Sequence, residues 1–125
     1  KGGSESILFV DDEESMVDLN HQRLTRLGYE VKSTTQPVEA LEWFKADPDQ
    51  FDVIITDMTM PRMTGDRLAV EVLKIQPNMP VIICTGYSER MSAEKAETLG
   101  VSKYIEKPID LRNLAASLRE VFDKK

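Results

Sequence analysis

Cysteine and histidine are the scarcest reactive residues in this 125-residue chain, with one of each. The single Cys84, expected in the core because it lies in an apolar run, excludes an internal disulfide and a cysteine-based zinc site. The single His21 excludes a site built on two imidazoles, so a metal site must use oxygen ligands, which favour Mg²⁺ or Ca²⁺. No apolar run approaches the roughly 20 residues of a membrane span, and residues 1–4 lack the apolar stretch of a signal peptide. We expect a cytoplasmic protein with no membrane contact of its own.

Positive charge is also in deficit. The chain has 16 Lys and Arg residues against 22 Asp and Glu residues, which gives a formal net charge of -6. Direct binding to nucleic acid or to an anionic membrane by bulk electrostatics is therefore not expected. A hydrophobic content of 41%, with six Gly and six Pro, is that of an ordinary globular chain with one domain. We assign the domain to residues 7–123 and interpret residues 1–6 as a linker or an expression remnant.

Short apolar runs recur along the chain, and each is followed by a segment long enough for a helix. The runs at 7–10, 53–55 and 81–83 are continuous, as expected for parallel strands that are covered on both faces. Weaker signals at 30–33 and 104–105 complete five strands. Five βα units with right-handed crossovers predict an α/β three-layer sandwich, in which helices cover both faces of a parallel sheet.

Apolar residues at helical spacing predict the helices. Gly28 ends the first helix, Pro37 opens the second, and Asp110 is the expected N-cap of the last. A fourth helix over 89–99 has few large apolar residues, so we expect it to be the most loosely packed. The other predicted apolar stripes are Met16, Val17, Asn20, Leu24 and Leu27; Val38, Leu41 and Phe44; Leu68, Val72 and Ile75; and Leu111, Leu114, Ala115, Leu118, Val121 and Phe122.

Chemically active side chains follow the predicted strands, at the sheet edge where parallel α/β proteins bind ligands. The acidic run 11–14 follows the first strand and Asp57 the third, while Thr85 and Lys107 follow the fourth and fifth. A divalent cation keeps converging carboxylates ionised, and Mg²⁺ suits this site because it accepts water and phosphate oxygens. A carboxylate beside Mg²⁺, a lysine and a hydroxyl can attack phosphorus, so Asp57 is the candidate nucleophile. The acidic run alone can equally serve to cap and charge the first helix.

Four segments resemble the receiver domain of response regulators. They are Ile-Leu-Phe-Val-Asp-Asp-Glu-Glu at 7–14, Asp-Met-Thr-Met-Pro-Arg-Met-Thr-Gly at 57–65, Thr85-Gly86 and Lys107-Pro108. Their order and spacing make the resemblance specific. It implies a flavodoxin-like (βα)5 fold with strand order 2-1-3-4-5, which the apolar pattern alone does not establish.

The resemblance also implies roles for individual residues. Asp57 would accept a phosphoryl group from the phosphohistidine of a sensor histidine kinase or a histidine phosphotransfer domain. Mg²⁺ would be bound by Asp12, the Asp57 carboxylate and the backbone carbonyl of Thr59, and Asp11 would assist through water. Lys107 would pair with the phosphoryl oxygens.

A conformational switch is a further implication of the resemblance. Once Asp57 is phosphorylated, the Thr85 hydroxyl would swing toward the phosphoryl group and Tyr104 would follow inward. This motion would change the surface made by the predicted helix over 89–99, the fifth strand and the last helix, which is also a candidate homodimer interface. Thr59 and Tyr87 occupy positions that vary in the family, so we expect them to tune the lifetime of the phosphoryl group.

Three other features have structural interpretations. We expect Pro61 and Gly65 to shape the turn after the third strand, because proline fixes its own φ and glycine tolerates a positive φ. Either a cis or a trans Lys107-Pro108 bond fits the sequence. Trp43 falls opposite the apolar stripe of the second helix, which predicts an exposed aromatic or a partner contact.

Other functions stay open at this point. A degenerate receiver would only mediate protein contacts. A haloacid-dehalogenase-like phosphatase shares the aspartate nucleophile and Mg²⁺, but its nucleophile follows the first strand. A flavodoxin-like cofactor binder would need a Ser-, Thr- and Gly-rich phosphate loop where this chain has acids.

The type of parent protein is a separate expectation. A receiver is not a turnover enzyme, although it catalyses its own phosphorylation and dephosphorylation. The linker-like residues 2–6 favour a receiver from a hybrid sensor histidine kinase over a stand-alone phosphocarrier.

Overall fold

The computed structural model describes residues 5–86, 100–107 and 109–123. The predicted helix over 89–99 lies outside these ranges. No helix within them is long and apolar enough to cross a bilayer. The strands are β1 (Ser6–Val10), β2 (Glu30–Thr34), β3 (Val53–Asp57), β4 (Val81–Thr85) and β5 (Lys103–Glu106). The helices are α1 (Glu14–Arg26), α2 (Pro37–Ala46), α3 (Gly65–Ile75) and α4 (Leu111–Asp123), and a 3₁₀ turn spans Pro48–Gln50.

The five strands form one parallel sheet in the order β2-β1-β3-β4-β5. Every residue of β3 and β4 is buried, because these central strands are covered on both faces. Most residues of the edge strand β2 are instead exposed or half-buried. The structure confirms the predicted α/β fold and the strand order implied by the resemblance.

Two apolar clusters lie on opposite faces of the sheet, since successive residues of a strand point to opposite sides. On one face, Leu8 and Ile54 pack with residues of α2 and α3, including Phe44 and Leu68. The other cluster contains Ile7, Phe9, Ile55, Ile82 and Cys84 from the strands, with Val17 and Leu24 from α1 and Leu114, Leu118 and Val121 from α4. The helices therefore form an outer layer on each side of the sheet.

The predicted helix boundaries have clear local causes. Gly28 has a φ of 101°, a left-handed conformation that ends α1, and its N–H donates to the Thr25 carbonyl at 3.0 Å. Pro37 is the first residue of α2. Ahead of α4, the Asp110 carboxylate accepts the Arg112 N–H at 3.0 Å, which is the expected N-cap contact.

Three residues predicted for the core are exposed. Val38 is 42%, Ile75 40% and Leu111 37% exposed. Each lies in the first or last turn of its helix, where the periodic pattern continues although the side chain is not covered. The buried residues of α2 are Pro37, Ala40, Leu41 and Phe44.

Trp43 is half-buried, which corrects the prediction of an exposed aromatic, while a partner contact at this residue stays a prediction. Its half-buried side chain packs against the cluster under α2 and α3. The Lys32 ammonium lies 4.2 Å from the centre of the indole ring, so the remaining face makes a cation–π contact.

The loop from β3 to α3 brings backbone close to backbone. The Gly65 N–H donates to the Met58 carbonyl at 2.7 Å, and a Cβ on Gly65 would lie 2.2 Å from the Asp57 carbonyl oxygen. Among the described residues, the positive φ in this loop belongs to Arg62, at 73°, beside a 2.8 Å hydrogen bond from the Met63 N–H to the Pro61 carbonyl. Glycine is therefore required at position 65 by close approach, and the prediction of a positive φ there is wrong.

We expect Gly65→Ala to lower the free energy of unfolding by about 1–3 kcal/mol, because the new methyl group must displace the Asp57 backbone. In a helix without this contact the same change stabilises by roughly 0.5–1 kcal/mol. Urea unfolding followed by circular dichroism measures the difference. A variant as stable as the wild type would contradict the close approach.

Candidate functional site

Two buried carboxylates meet at the carboxyl edge of the sheet. Asp11 directly follows β1, whereas Asp57 is the last residue of β3, within the strand and not after it. β1 and β3 are neighbours, with Val10 beside Thr56 in the register, so the sheet brings both side chains together. Asp11 is 1% and Asp57 4% exposed. Both acids are thus largely removed from water, where an ionised carboxylate needs a compensating charge.

Asp12 completes an acidic cluster with these two residues. One carboxylate oxygen from each of Asp11, Asp12 and Asp57 lies within 4.8 Å of the other two. Asp12 is exposed, so the cluster is open to solvent on one side. A set of carboxylate oxygens suits a hard divalent cation that keeps part of its water shell, and Mg²⁺ fits this description. It is the one such grouping of His, Cys, Asp and Glu within the described ranges.

Lys107 supplies the positive charge of the site. Its Nζ lies 2.5 Å from Asp57 Oδ1 and 3.9 Å from Asp11 Oδ2. The Lys107 backbone N–H donates to the Thr85 carbonyl at 2.8 Å, which ties the residue after β5 to the end of β4. Burial alone would lower the pKa of Lys107, but its hydrogen bond to Asp57 and the charges of Asp57 and Asp11 outweigh burial and raise it. The lysine is therefore a fixed ammonium group at neutral pH.

The ionisation of Asp11 is perturbed by its surroundings. Burial raises the pKa of its carboxyl from 3.8 to about 6, and the charge of Asp57 acts in the same direction. The Glu13 N–H, donated to Asp11 Oδ1 at 3.0 Å, and the charge of Lys107 partly oppose this shift. One lysine does not fully compensate the crowded carboxylates.

The acidic run 11–14 divides into two parts. Asp11 and Asp12 belong to the cluster. Glu13 and Glu14 lie at the start of α1, where Glu13 occupies the N-cap position without a side-chain capping bond and Glu14 lies in the first turn. A negative charge is favourable near a helix N-terminus, so the structural interpretation fits Glu14.

Thr85 and Tyr104 lie on the neighbouring strands β4 and β5. Thr85 is fully buried, and within the described part of the chain its Oγ1 has no hydrogen-bond partner. Tyr104 pairs with Ile83 in the β4–β5 register, and its half-buried ring packs against the cluster under α2 and α3. The threonine thus carries a donor that is buried and not yet used.

The three remaining predicted positions are Thr59, Tyr87 and Pro108. The side chain of Thr59 is exposed, two residues after Asp57. Tyr87 and Pro108 lie outside the described residues, as does the isomer of the Lys107-Pro108 bond.

Sequence reasoning missed Arg23, which reaches the loop that carries the lysine. Arg23 Nη1 donates to the Ile109 carbonyl at 3.3 Å, two residues after Lys107. The two partners are 86 positions apart, and Arg23 shares the last turn of α1 with a second arginine, Arg26. Only the packing of α1 beside the end of the sheet reveals the contact.

Cys84 has no place in this chemistry, although it lies near the cluster. It is 2% exposed in the middle of an apolar cluster, and burial raises the pKa of its thiol to about 12. The thiol is therefore protonated and unreactive at neutral pH. The prediction of a core residue is confirmed.

Comparison with known proteins identifies related chains. A family model described as the response regulator receiver domain matches residues 7–119. A solved response regulator receiver domain protein from Clostridium thermocellum superposes with a TM-score of 0.91 at 32% identity, covering 96% of this chain and 95% of that one. A CheY-like receiver domain protein from Methanospirillum hungatei JF-1 gives a TM-score of 0.85 at 31% identity, with 98% and 96% covered.

Longer curated proteins contain a similar segment. The sensor kinase CckA of Brucella abortus is 30% identical over 122 residues, which is 98% of this chain but 13% of the kinase. The DNA-binding transcriptional regulator NtrC of a Bradyrhizobium strain is 33% identical over 109 residues, which is 87% of this chain and 22% of the regulator. The chain thus spans a small part of both relatives, and it belongs to the response regulator receiver domain family.

Proposed function

We propose that this domain accepts a phosphoryl group on Asp57 from a phosphohistidine in a Mg²⁺-dependent step. Receiver domains interact with histidine kinases or phosphotransfer proteins, which makes such a protein the proposed donor. The observation that carries the proposal is the contact of Asp57 Oδ1 with Lys107 Nζ at 2.5 Å inside a three-carboxylate cluster. A buried acid without a partner has no evident benefit for folding. Asp57 is instead paired with a lysine, an arrangement typical of a reactive carboxylate.

The reaction would form one bond and break one. A carboxylate oxygen of Asp57 bonds to phosphorus as the N–P bond of the phosphohistidine breaks. The imidazole nitrogen keeps the bonding electrons and takes up a proton. Lys107 is already placed at Asp57, so its ammonium group can pair with a phosphoryl oxygen when the carboxylate becomes an acyl phosphate.

Asp12, Asp57 and the backbone carbonyl of Thr59 are the proposed Mg²⁺ ligands, with Asp11 assisting through water. The ion supplies positive charge that stabilises the phosphoryl oxygens during transfer. Asp12 is exposed and Asp11 buried, which fits a site that opens to solvent on the Asp12 side. One oxygen of Asp11 accepts the Glu13 N–H, and the other faces Lys107. Asp11 therefore helps to orient the lysine from the buried side of the site.

Thr85 is the proposed switch residue. Its buried Oγ1 has no hydrogen-bond partner within the described residues, so an acceptor that arrives nearby would gain a donor without breaking another bond. Tyr104, on the neighbouring strand, is proposed to follow inward. The surface of the predicted helix over 89–99, β5 and α4 would then change, and it is also the proposed homodimer contact. Thr59 and Tyr87 are proposed to tune the phosphoryl lifetime.

Two other functions fit less well. A degenerate receiver would not need the full set of three acids and a lysine that meet at this edge. An aspartate-nucleophile phosphatase of the haloacid-dehalogenase type would place its nucleophile after β1, whereas the acid nearest the lysine ends β3. Neither has an observation of its own in its favour.

The parent protein is part of the proposal. We infer a cytoplasmic receiver that belongs to a longer chain, because the segment spans 13% of the similar sensor kinase CckA and 22% of the similar NtrC. A hybrid sensor histidine kinase is the proposed parent. The predicted boundary at residue 7 is one residue late, because Ser6 is the first residue of β1 and pairs with Glu30, so the proposed linker ends before Ser6.

Incubation with acetyl phosphate and Mg²⁺ is expected to add the mass of one phosphoryl group to the intact protein. The gain should disappear with EDTA and in Asp57→Asn. Asp49→Asn is the matched control, because Asp49 is an exposed acid in the 3₁₀ turn before β3 and should leave the gain unchanged. Intact-mass spectrometry measures all four samples.

The outcome separates the three functions. If neither acetyl phosphate nor a phosphohistidine donor modifies the wild type while Mg²⁺ still binds, the domain is a degenerate receiver. Repeated release of phosphate from simple phosphate esters would instead indicate a phosphatase. If Mg²⁺ does not bind, the assignment of the cluster as a metal site is wrong.

Without Mg²⁺, Asp11→Asn is expected to stabilise the domain at pH 7. The pKa of Asp11 is about 6 in the folded chain and 3.8 in the unfolded one, so ionising this acid opposes folding. The cost is absent below pH 3.8, grows as the pH rises through 6, and reaches about 3 kcal/mol near neutrality. Urea unfolding in EDTA should show a gain of about 1–3 kcal/mol at pH 7 that shrinks toward pH 4.

Asp12→Asn is the matched control for this change, since Asp12 is the exposed member of the cluster. It should alter the free energy of unfolding by less than about 0.5 kcal/mol. An Asp11→Asn variant that is less stable than the wild type at pH 7 would contradict the electrostatic interpretation.

A further inference from the structure

The loop that carries Lys107 is anchored to the rest of the domain at several points. On one side, the Lys107 N–H donates to the Thr85 carbonyl at 2.8 Å. On the other side, Asp110 caps α4 through the Arg112 N–H at 3.0 Å. Between these two points, the Ile109 carbonyl accepts Arg23 Nη1 at 3.3 Å. This middle anchor is the one that comes from a distant part of the chain, 86 positions away.

Arg23 contacts this loop from another helix of the domain. It lies in the last turn of α1. Its half-buried side chain crosses to the Ile109 carbonyl, and within the described ranges the guanidinium makes no other hydrogen bond or ion pair. The contact therefore links α1 to the loop of the lysine.

We propose that Arg23 is a positioning residue for phosphoryl transfer, which it aids by holding the Ile109 carbonyl and so keeping Lys107 Nζ against Asp57. This inference rests on the function proposed above. Lysine is a flexible side chain with four rotatable methylene groups, so the place of its ammonium group depends on where its backbone is held. Ile109 is 7% exposed, and a loosened carbonyl at this point would shift the loop only two residues from Lys107.

The effect should fall on the reaction step and not on metal binding. The acids of the cluster come from the ends of β1 and β3, which Arg23 does not touch. Lys107 reaches the site from the end of β5, through the loop that Arg23 anchors. Displacing a catalytic group by about 1 Å can lower a rate by up to roughly a hundredfold. Loss of one of several anchors should give a smaller change.

Arg23→Met tests the proposal, with Arg26→Met as its matched control. Arg26 lies in the same last turn of α1, carries the same charge and is exposed. Phosphorylation of Asp57 is measured at increasing acetyl phosphate, in saturating Mg²⁺, at a temperature where circular dichroism shows each variant folded. Arg23→Met should lower the maximal rate constant about 5- to 20-fold and leave the half-saturating Mg²⁺ concentration within about twofold.

Arg23→Lys tests whether a conservative substitution restores the maximal rate constant. A purely structural role would not predict this recovery in the rate constant. Lysine at this position can still donate to the Ile109 carbonyl, so the variant should recover most of the maximal rate. Arg26→Met should stay within about twofold of the wild type.

Two results would overturn the proposal. The first is an Arg23→Met rate equal to that of Arg26→Met in a folded protein. The second is a loss confined to Mg²⁺ affinity, with the maximal rate unchanged. In both cases the wild type is phosphorylated, so the proposed function stands and only the role of Arg23 fails. A wild type that is never modified at Asp57 would defeat both.

Discussion

The carboxylates of Asp11 and Asp57 lie almost fully buried at the carboxyl edge of one sheet, and the cost of burying two like charges side by side is the constraint on which the site depends. The single ammonium group of Lys107 reaches both of them but lies much closer to Asp57. Burial still raises the pKa of Asp11 to about 6. The site is thus short of positive charge, and a divalent cation is the natural way to supply it.

The fold creates this arrangement by placing the chain's most apolar strands at the centre of the sheet. β1 and β3 are adjacent because the chain crosses from the edge strand β2 over β1 to the central strand β3, so the carboxyl ends of β1 and β3 meet. Apolar packing on both faces holds the strands in register, and Gly65 lets α3 start against the backbone of Asp57. The same residues therefore stabilise the core and fix the geometry of the site.

Much of this architecture can be predicted from the sequence, because buried parallel strands and amphipathic helices have distinct periodicities. The strands, the α/β layers and the acids that follow them come from such patterns, whereas the strand order comes from the family resemblance. The burial of residues at helix ends, such as Val38, is not predicted correctly, since periodicity does not show where the rest of the protein stops covering a helix. The reason for Gly65 and the reach of Arg23 depend on contacts between distant backbone segments, which no local pattern encodes.

The central claim is that Asp57 forms an acyl phosphate, and chemical trapping tests it most directly. Borohydride reduces an acyl phosphate of aspartate to homoserine and leaves a free carboxylate unchanged. After exposure to a phosphohistidine donor with Mg²⁺, peptide sequencing by mass spectrometry should find homoserine at position 57 and at no other acid. Homoserine at Asp11 or Asp12, or none at position 57 in protein that has gained a phosphoryl group, would contradict the account.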